Sequence, residues 1–325
     1  MALLHPTYGY YVTDAPTFGK DGDFVTAPEI SSLFGETVGA WCVDAWHKLG
    51  EPKEWRLVEC GPGSGVCMQD VCRAVDRFSS VAKGRSVTLV EASPSLRKIQ
   101  AERLRDVPRL THSDDLRFLV NDAVPFILFG NEFLDALPIV QYVYENGALY
   151  ERGVGLRDGE FAFVRGDRPL PLSEGAIRAR HPDVTNGAVI EESPAQTRLV
   201  EKIASSVRKR SGAALFIDYG YRESPLLSTL QAVRAHKKTA IFDRLGESDI
   251  TALVDFGALE KIAFPVHAEC GKIESQRDFL RRHGIEELAK SRRDASDAEA
   301  RLRRLVDDDA MGKSFKVMER LAIFG

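Results

Sequence analysis

A glycine-rich loop places the strongest constraint on what this 325-residue chain can fold into. The segment ECGPGSG (59–65) follows the apolar run RLV and precedes a helical pattern. Gly61, Gly63 and Gly65 let the backbone turn tightly and approach a ligand where a Cβ would clash. A strand, a loop of this kind and a helix in succession are typical of nucleotide-binding α/β folds. A tight turn that binds nothing is the alternative interpretation.

Buried strands alternate with helices on both sides of this loop. A helical pattern around Ser31 to Leu49 precedes it, and another, through Leu96 to Arg105, follows the second strand. The strand candidates are RLVECG (56–61), SVTLVEA (86–92), AVPFILFGNEF (123–133), GAALFIDYGY (212–221) and the closing SFKVMERLAIF. Such alternation predicts βαβ units and a doubly wound parallel sheet.

A different pattern occupies roughly residues 139–192. VQYVYENGALYERGV holds an Asn-Gly pair between β-branched and aromatic runs, and LRDGEFAFV holds an Asp-Gly pair, both strong hairpin signals. A helix then begins with Ser193 as N-cap and Pro194 at its first position. We therefore predict an N-terminal cap (1–50), a core (51–138 and 193–325) and a β-rich antiparallel insertion (139–192).

Charge and cysteine content exclude several classes of protein. The 44 basic and 48 acidic residues give a net charge of −4, so no nucleic-acid partner is expected. Five cysteines without a CxxC pair favour a reduced, intracellular protein. No apolar run approaches the ~20 residues of a membrane helix, and the start MALLHPTYGYY does not resemble a signal peptide. The seven histidines are scattered, so no metal site is predicted.

The glycine loop fits S-adenosylmethionine better than a dinucleotide. The dinucleotide fingerprint needs Gly or Ala at its sixth position, which here is Val66. An NAD oxidoreductase is therefore the least favoured of the functions considered. Glu59 is expected to face the cationic methionine end of the cofactor. Glu91 ends the second strand, where a carboxylate can accept both ribose hydroxyls. Asp114, with Asp115, follows the next strand-like region after Glu91, where adenine contacts would fall; helix capping or solvation is the alternative.

Acidic residues cluster after the strand VPFILF, in GNEFLDALP (130–138). Asn131, Glu132 and Asp135 are expected at the reactive end of the cofactor, because ligands sit beyond the carboxyl ends of parallel strands. Paired carboxylates can grip a planar guanidinium and take a proton from it. The alternative is a helix N-terminus with Asp135 in its first turn. Asp218 and Tyr219, in IDYG, are second-rank substrate-binding candidates, with packing at the sheet edge as the alternative.

The ordered motifs resemble those of the MidA-like methyltransferases, a family that includes the mitochondrial complex I assembly-factor arginine methyltransferase. The matching segments are HPTYGYY, GDFVTAPEISSLFGE, ECGPGSG, VEASPSLRKIQ, NEFLDALP, FIDYG, QAVRAHK and DITALVDF. The resemblance implies a Rossmann-like methyltransferase fold with helices on both faces of the sheet. It also implies S-adenosyl-L-methionine as cofactor and arginine methylation of a protein, by resemblance a complex I subunit.

Carried over residue by residue, the resemblance assigns the glycine loop to the methionine side and Glu91 to the ribose. Asn131, Glu132 and Asp135 would line the methyl-transfer centre. Phe24, Thr26 and Pro28 would cover the cofactor from the N-terminal cap, although an aromatic-rich loop of this kind also fits simple packing. His236, in QAVRAHK, is a further substrate-side candidate.

Three positions depart from the family pattern. Leu253 stands where the family has His, and Ala235 replaces a Gly. Arg277 stands where the family's C-terminal QGxFL pattern has Gly, since this chain reads QRDFL. A protein arginine methyltransferase of bacterial cytoplasm or mitochondrial matrix is the leading hypothesis. A non-catalytic S-adenosylmethionine-binding assembly factor and a small-molecule methyltransferase remain open.

Overall fold

The computed structural model describes residues 3, 5, 7–10, 26–234, 237–263 and 271–321. Its helices are α1 (Ala27–Ile30), α2 (Ser32–Lys48), α3 (Val66–Val75), α4 (Ser79–Lys83), α5 (Pro94–Arg103), α6 (Phe118–Asn121), α7 (Glu174–Arg180), α8 (Pro194–Arg210), α9 (Phe256–Ala263), α10 (Gln276–Arg282), α11 (Ile285–Lys290), α12 (Ala295–Val306) and α13 (Met311–Ser314). Its strands are β1 (Trp55–Cys60), β2 (Arg85–Val90), β3 (Leu110–Ser113), β4 (Phe126–Asn131), β5 (Val140–Glu145), β6 (Ala148–Arg157), β7 (Glu160–Pro169), β8 (Val189–Glu192), β9 (Gly212–Tyr221), β10 (Gln231–Arg234), β11 (Lys237–Thr239), β12 (Asp249–Thr251), β13 (Val254–Asp255), β14 (Gly271–Ser275) and β15 (Phe315–Leu321).

The central sheet has the strand order β14-β15-β9-β4-β1-β2-β3, with β13 paired to the end of β9. The strands β3, β2, β1, β4 and β9 run parallel, as the alternating pattern predicts. The closing strand β15 is antiparallel to β9, and β14 is antiparallel to β15. The predicted α/β class is confirmed, with two antiparallel strands at one edge that the sequence pattern did not specify.

Helices cover both faces of the central sheet, because its strands are apolar on both sides. Successive residues of β1 show this: Leu57 packs in the layer with α2, α3 and α10, whereas Val58 packs in the layer with α8 and α9. The side chain of Ser193 accepts a hydrogen bond from the backbone of Gln196 and Pro194 opens α8, as predicted. No helix in the described ranges has both the length and the apolar character to cross a bilayer.

A separate antiparallel sheet, in the order β7-β6-β5-β8, branches from the core after β4. Its first hairpin turns at Asn146 (φ 50°) and Gly147 (φ 83°), and its second turns at Asp158 (φ 55°) and Gly159 (φ 85°). Both pairs have the two left-handed residues that a tight two-residue hairpin requires. The β-rich antiparallel insertion expected from the Asn-Gly and Asp-Gly signals is therefore present, and it has its own small apolar core.

The acidic segment after β4 does not form the helix N-terminus that was its alternative interpretation. Residues 132–139, all described, form turns and bends rather than the start of a helix. Asp218 accepts the backbone N–H groups of residues 133–135, so the donors of this irregular loop are satisfied although they are buried.

Candidate active site

A cavity of about 520 Å³ lies at the carboxyl ends of β1, β2 and β4. Four segments form its walls: the glycine loop after β1, the residues that follow β2, the loop after β4, and the start of α1. The volume falls in the range of small-molecule sites, ~300–1,000 Å³. The position is where open α/β sheets bind their ligands.

The glycine loop has a left-handed backbone conformation that residues other than glycine rarely adopt. Gly61, Gly63 and Gly65 have φ values of 64°, 51° and 81°. A Cβ at Gly61 would lie 2.7 Å from the Phe133 ring, which lines the same cavity. The glycines are therefore required both by the turn and by the close packing of the loop after β4.

Glu59, at the end of β1, is a buried carboxylate in the cavity wall. Burial raises its pKa to about 8, and contacts with Cys67 and Met68 oppose the shift. Its Oε2 atom has no hydrogen-bond partner. A buried acceptor of this kind suits a ligand that carries a positive charge or an N–H donor.

Glu91, just after β2, is held by two donors. Its Oε1 accepts a 2.8 Å hydrogen bond from the Ser93 N–H, and its Oε2 accepts a 3.1 Å bond from the side-chain amide of Gln100. The same Gln100 amide donates to the Gly63 carbonyl at 2.8 Å. Burial raises the pKa of Glu91, and the hydrogen bonds from Ser93 and Gln100 oppose that rise.

The start of α1 closes one side of the cavity. Thr26, Pro28 and Glu29 line it. The Ser64 hydroxyl donates a 2.7 Å hydrogen bond to Glu29, which ties α1 to the glycine loop. The N–H of Ala27, the first residue of α1, donates to Glu132 Oε1 at 3.3 Å, which ties α1 to the loop after β4 as well.

Glu132 faces the cavity from the first position after β4. Its backbone is left-handed, with a φ of 49°, an unusual conformation for a residue with a side chain. Its Oε1 also accepts from the Asn131 amide at 3.0 Å, while the buried Asn131 Oδ1 has no hydrogen-bond partner. Burial, followed by the negative charge of Asp135, raises the pKa of Glu132 to about 8.

Asp135 lies behind Glu132 and is buried outside the cavity lining. The Tyr219 hydroxyl donates to its Oδ2, whereas its buried Oδ1 has no hydrogen-bond partner. The Tyr219 oxygen lies 2.7 Å from Thr251 Oγ1. Burial raises the pKa of Asp135 to about 7, the Tyr219 hydrogen bond opposes the rise, and the charge of Asp249 adds to it.

Asp218 is fully buried beneath the loop after β4. Its Oδ2 accepts from the backbone N–H groups of Phe133 at 3.1 Å, Leu134 at 2.9 Å and Asp135 at 3.2 Å. Its Oδ1 accepts from the Tyr219 N–H at 3.0 Å. This carboxylate fixes the shape of the loop that presents Glu132.

The charge of the cavity is one-sided. Among the described residues, four glutamates and no lysine, arginine or histidine line it; the glutamates are Glu29, Glu59, Glu91 and Glu132. A partly desolvated cleft lined by carboxylates, with no basic side chain among them, favours a cationic ligand. A sulfonium compound with an ammonium group has that charge.

Comparison with known proteins agrees with this geometry. Residues 37–270 match the family model described as "Putative S-adenosyl-L-methionine-dependent methyltransferase". The chain belongs to this methyltransferase family. The predicted enzyme class and the predicted cofactor, S-adenosyl-L-methionine, are thereby confirmed.

Relatives of this methyltransferase share most of its length. The chain is 31% identical to "Protein arginine methyltransferase NDUFAF7, mitochondrial" from Danio rerio, over 99% of this chain and 80% of that protein. It is 34% identical to the Caenorhabditis elegans homolog of that name, over 86% of this chain and 69% of that protein. A crystal structure from Burkholderia thailandensis bound to S-adenosyl-homocysteine superposes with a TM-score of 0.86 and 28% identity, covering 100% of this chain and 86% of that one.

The structure of the methyltransferase brings most of the sequence-predicted residues to one cavity. Those that line it are Thr26, Pro28, Glu59, Gly61, Gly63, Glu91, Asn131 and Glu132. Gly65 lies just outside the lining, where it caps α3 and packs against Gln100. Phe24 and His236 lie outside the described residues.

Four residues that were predicted at the cofactor or the substrate lie elsewhere in the structure. Asp114 does not line the cavity: its side chain is 77% exposed and pairs with Arg97. Asp218 and Tyr219 were expected to bind substrate, but both are buried and bond to the loop after β4 instead. Their neighbour Asp135, expected at the methyl-transfer centre, lies behind Glu132 rather than in the cavity wall.

Sequence reasoning also missed residues of the methyltransferase site. Glu29, Ser64, Gln100 and Phe133 all lie in quoted motifs, yet none was assigned a role. Gln100 had one readable signal: it lies seven residues after the helix N-cap Ser93, on the same helix face as the buried Leu96.

Two departures from the family pattern lie away from the cavity of this methyltransferase. Leu253 packs against the apolar core. Arg277 pairs with Asp308 on the helical layer. The third, Ala235, lies outside the described residues. The two described substitutions therefore leave the cavity wall unchanged.

Proposed function

We propose that this methyltransferase transfers a methyl group to a guanidinium nitrogen of arginine in a protein substrate. The observation that carries the proposal is the acidic centre at one end of the cavity. Glu132 faces the cavity beside Asn131, and the buried Asn131 Oδ1 lacks a hydrogen-bond partner. A guanidinium is a planar cation with five N–H donors, which suits such a set of acceptors. The relatives named protein arginine methyltransferase support the same substrate class.

The residues of the cavity fit the cofactor. The unpartnered Glu59 Oε2 suits the ammonium group of the methionine part, and the glycine loop allows its close approach. Glu91 keeps acceptor capacity on its carboxylate for the ribose hydroxyls, since a carboxylate can accept about four hydrogen bonds. Thr26 and Pro28 would cover the cofactor from α1. When bound, S-adenosyl-L-methionine supplies the methyl group from its sulfonium.

Glu132 would orient the guanidinium and take its proton. Transfer forms a carbon–nitrogen bond and breaks a carbon–sulfur bond, so the nitrogen must release one proton. A carboxylate whose pKa is raised to about 8 is matched to accept it near neutral pH. Asp135 does not reach the cavity. It acts through Glu132, because its negative charge contributes to the raised pKa of Glu132. Orientation of the reacting groups supplies much of the remaining rate enhancement.

The partner is proposed at two levels. A protein substrate follows from the names of the relatives, and a respiratory complex I subunit is the first candidate from the resemblance of the motifs. The relatives carry the word mitochondrial in their names, so the matrix of mitochondria, or the cytoplasm of a bacterium, is where we propose to look for it.

The test combines labelled S-adenosyl-L-methionine, arginine-containing proteins that include complex I subunits, and mass spectrometry of the product. We expect methylarginine with the wild type, and a loss of at least ~100-fold in kcat for Glu132→Gln. The affinity for S-adenosylhomocysteine should remain within a few-fold. The matched control is Glu102→Gln, since Glu102 is an exposed glutamate on α5.

Transfer that survives Glu132→Gln combined with Asp135→Asn would overturn the assigned roles. Methylation of another side chain, or of a free small molecule only, would overturn the substrate class. Cofactor binding without transfer to any captured partner would favour a non-catalytic assembly factor.

A further inference from the structure

Gln100 joins the two parts of the cavity that are assigned to the methionine part and to the ribose of the cofactor. Its side chain is fully buried on α5. One hydrogen of its amide goes to the Gly63 carbonyl at 2.8 Å and the other goes to Glu91 Oε2 at 3.1 Å. Both donors are therefore used, one on the glycine loop and one on the carboxylate after β2.

The orientation of this amide is determined by its surroundings. The Gln100 Oε1 atom lies 3.0 Å from His112 Nε2, on β3. If the amide were reversed, Oε1 would face the Gly63 carbonyl and the Glu91 carboxylate, which have no hydrogen to donate. His112 can donate from Nε2 in one neutral tautomer and also when protonated. The hydrogen bonds are therefore all satisfied in one direction only.

The two donors to Glu91 leave it suited to two adjacent hydroxyls. Ser93 N–H bonds Oε1 and Gln100 bonds Oε2, so each oxygen has one of these donors. With about four acceptor sites on a carboxylate, capacity is left on both oxygens. Since the plane of the carboxylate is fixed by donors on both oxygens, the remaining lone pairs are fixed too.

We propose that Gln100 is a positioning residue for cofactor recognition: it orients the Glu91 carboxylate for the two ribose hydroxyls and couples it to the glycine loop. The inference rests on the proposed ribose role of Glu91 and deepens it. Without the Gln100 donor, Glu91 can rotate, and its ability to distinguish a diol from a single hydroxyl falls.

The test measures affinity by calorimetry for S-adenosylhomocysteine and for its 2′-deoxy analogue. The informative quantity is the ratio of the two dissociation constants. We expect the wild type to favour the diol by ~10-fold or more, as for a hydrogen bond to a charged acceptor. In Gln100→Met the ratio should fall to within about twofold to threefold of unity. The overall affinity should fall as well, because the contact with Gly63 is lost.

The matched control is Gln276→Met. Gln276 is also fully buried, and it also donates to a backbone carbonyl, that of Leu305, on the helical layer away from the cavity. This variant should lose stability and keep the wild-type ratio. His112→Leu is the second test variant, because it removes only the partner that orients the amide and leaves Gln100 in place. We expect a smaller fall in the ratio.

Each outcome is decisive for one claim. A wild type that does not distinguish the two ligands overturns the ribose role of Glu91 and this inference with it, while arginine methylation would be judged separately by its product. If the wild type distinguishes them and both test variants keep the full ratio, Gln100 has only a structural role. A lowered ratio in Gln100→Met and His112→Leu, but not in Gln276→Met, supports the proposal.

Discussion

The hydroxyl of Ser64, in the glycine loop, donates a 2.7 Å hydrogen bond to the carboxylate of Glu29, in α1. The two residues belong to segments far apart in the chain, and both line the same cavity. This hydrogen bond therefore holds together two walls of the cavity, the glycine loop and the start of α1, around any ligand that binds there.

Loss of this bond should weaken cofactor binding. We expect Ser64→Ala and Glu29→Ala each to raise the dissociation constant of S-adenosylhomocysteine by about fivefold to tenfold, as for about 1 kcal/mol of a charge-assisted hydrogen bond. The double variant should be little worse than either single variant, because both remove one interaction. Calorimetry on the four proteins checks this. Fully additive effects would show that the two side chains act independently.

Replacing Tyr219 by phenylalanine should impair transfer without impairing cofactor binding. The change removes the donor to Asp135 Oδ2 and leaves a buried acid with fewer partners, which should cost roughly 1–3 kcal/mol of stability. The pKa of Asp135 should rise further, because the Tyr219 bond lowers it. Single-turnover kinetics and calorimetry separate the two effects. Thr251→Val, one bond further away, is the milder comparison; an unchanged rate in Tyr219→Phe would contradict the role.

The stability of the ligand-free protein should fall as the pH rises. Burial raises the pKa of Glu59 from its ordinary value of 4.5 to about 8, so between these values the folded state holds a proton that the unfolded state releases. The stabilising contribution is complete below about pH 4.5 and is lost as the pH passes about 8. Glu132 and Asp135 act in the same direction.

Denaturant unfolding at several pH values checks this prediction. Glu59→Gln, which mimics the protonated acid, should flatten part of the slope, whereas Glu102→Gln at an exposed site should not. Binding of a cationic ligand beside Glu59 should also release protons near pH 7, seen as a dependence of the calorimetric heat on the buffer. A stability that rises across this pH range would contradict the assignment.

A methyl group at Gly61 should damage the cavity more than one at another left-handed glycine. Gly61→Ala places a Cβ 2.7 Å from the Phe133 ring, at a φ of 64°. Gly159→Ala is the control, with a φ of 85° and no atom within 4 Å of the added Cβ. Both should lose about 1 kcal/mol of stability from backbone strain. Only Gly61→Ala should weaken S-adenosylhomocysteine binding, by tenfold or more.

Local signals of the sequence predicted the features that depend on local backbone geometry. The glycine loop, the Asn146–Gly147 turn and the Ser193 cap occur where their spacing placed them, because positive φ and capping are properties of a few neighbouring residues. The cavity wall at Glu91 and Glu132 followed from strand ends, since parallel strands share one edge.

Side-chain direction was the part that the sequence did not specify. Asp114 and Asp218 are both acids near strand ends, yet the first points to solvent and pairs with Arg97, whereas the second is buried under four backbone N–H groups. Whether such a carboxylate reaches a ligand depends on packing between distant segments. For the same reason the roles of Gln100 and Glu29 could be assigned only once their partners Gly63 and Ser64 were in place, although helix spacing already indicated that Gln100 is buried.

The hydrogen bond from the Ala27 N–H to Glu132 Oε1 couples α1 to the carboxylate that we propose as the proton acceptor. A cation arriving at that carboxylate competes with the first amide of the helix for one acceptor atom. By thermodynamic reciprocity, whatever loosens the beginning of α1 favours the cation, and the cation in turn loosens α1. Binding of a cation at Glu132 would then be detected at the first residue of α1, as faster amide hydrogen exchange at Ala27.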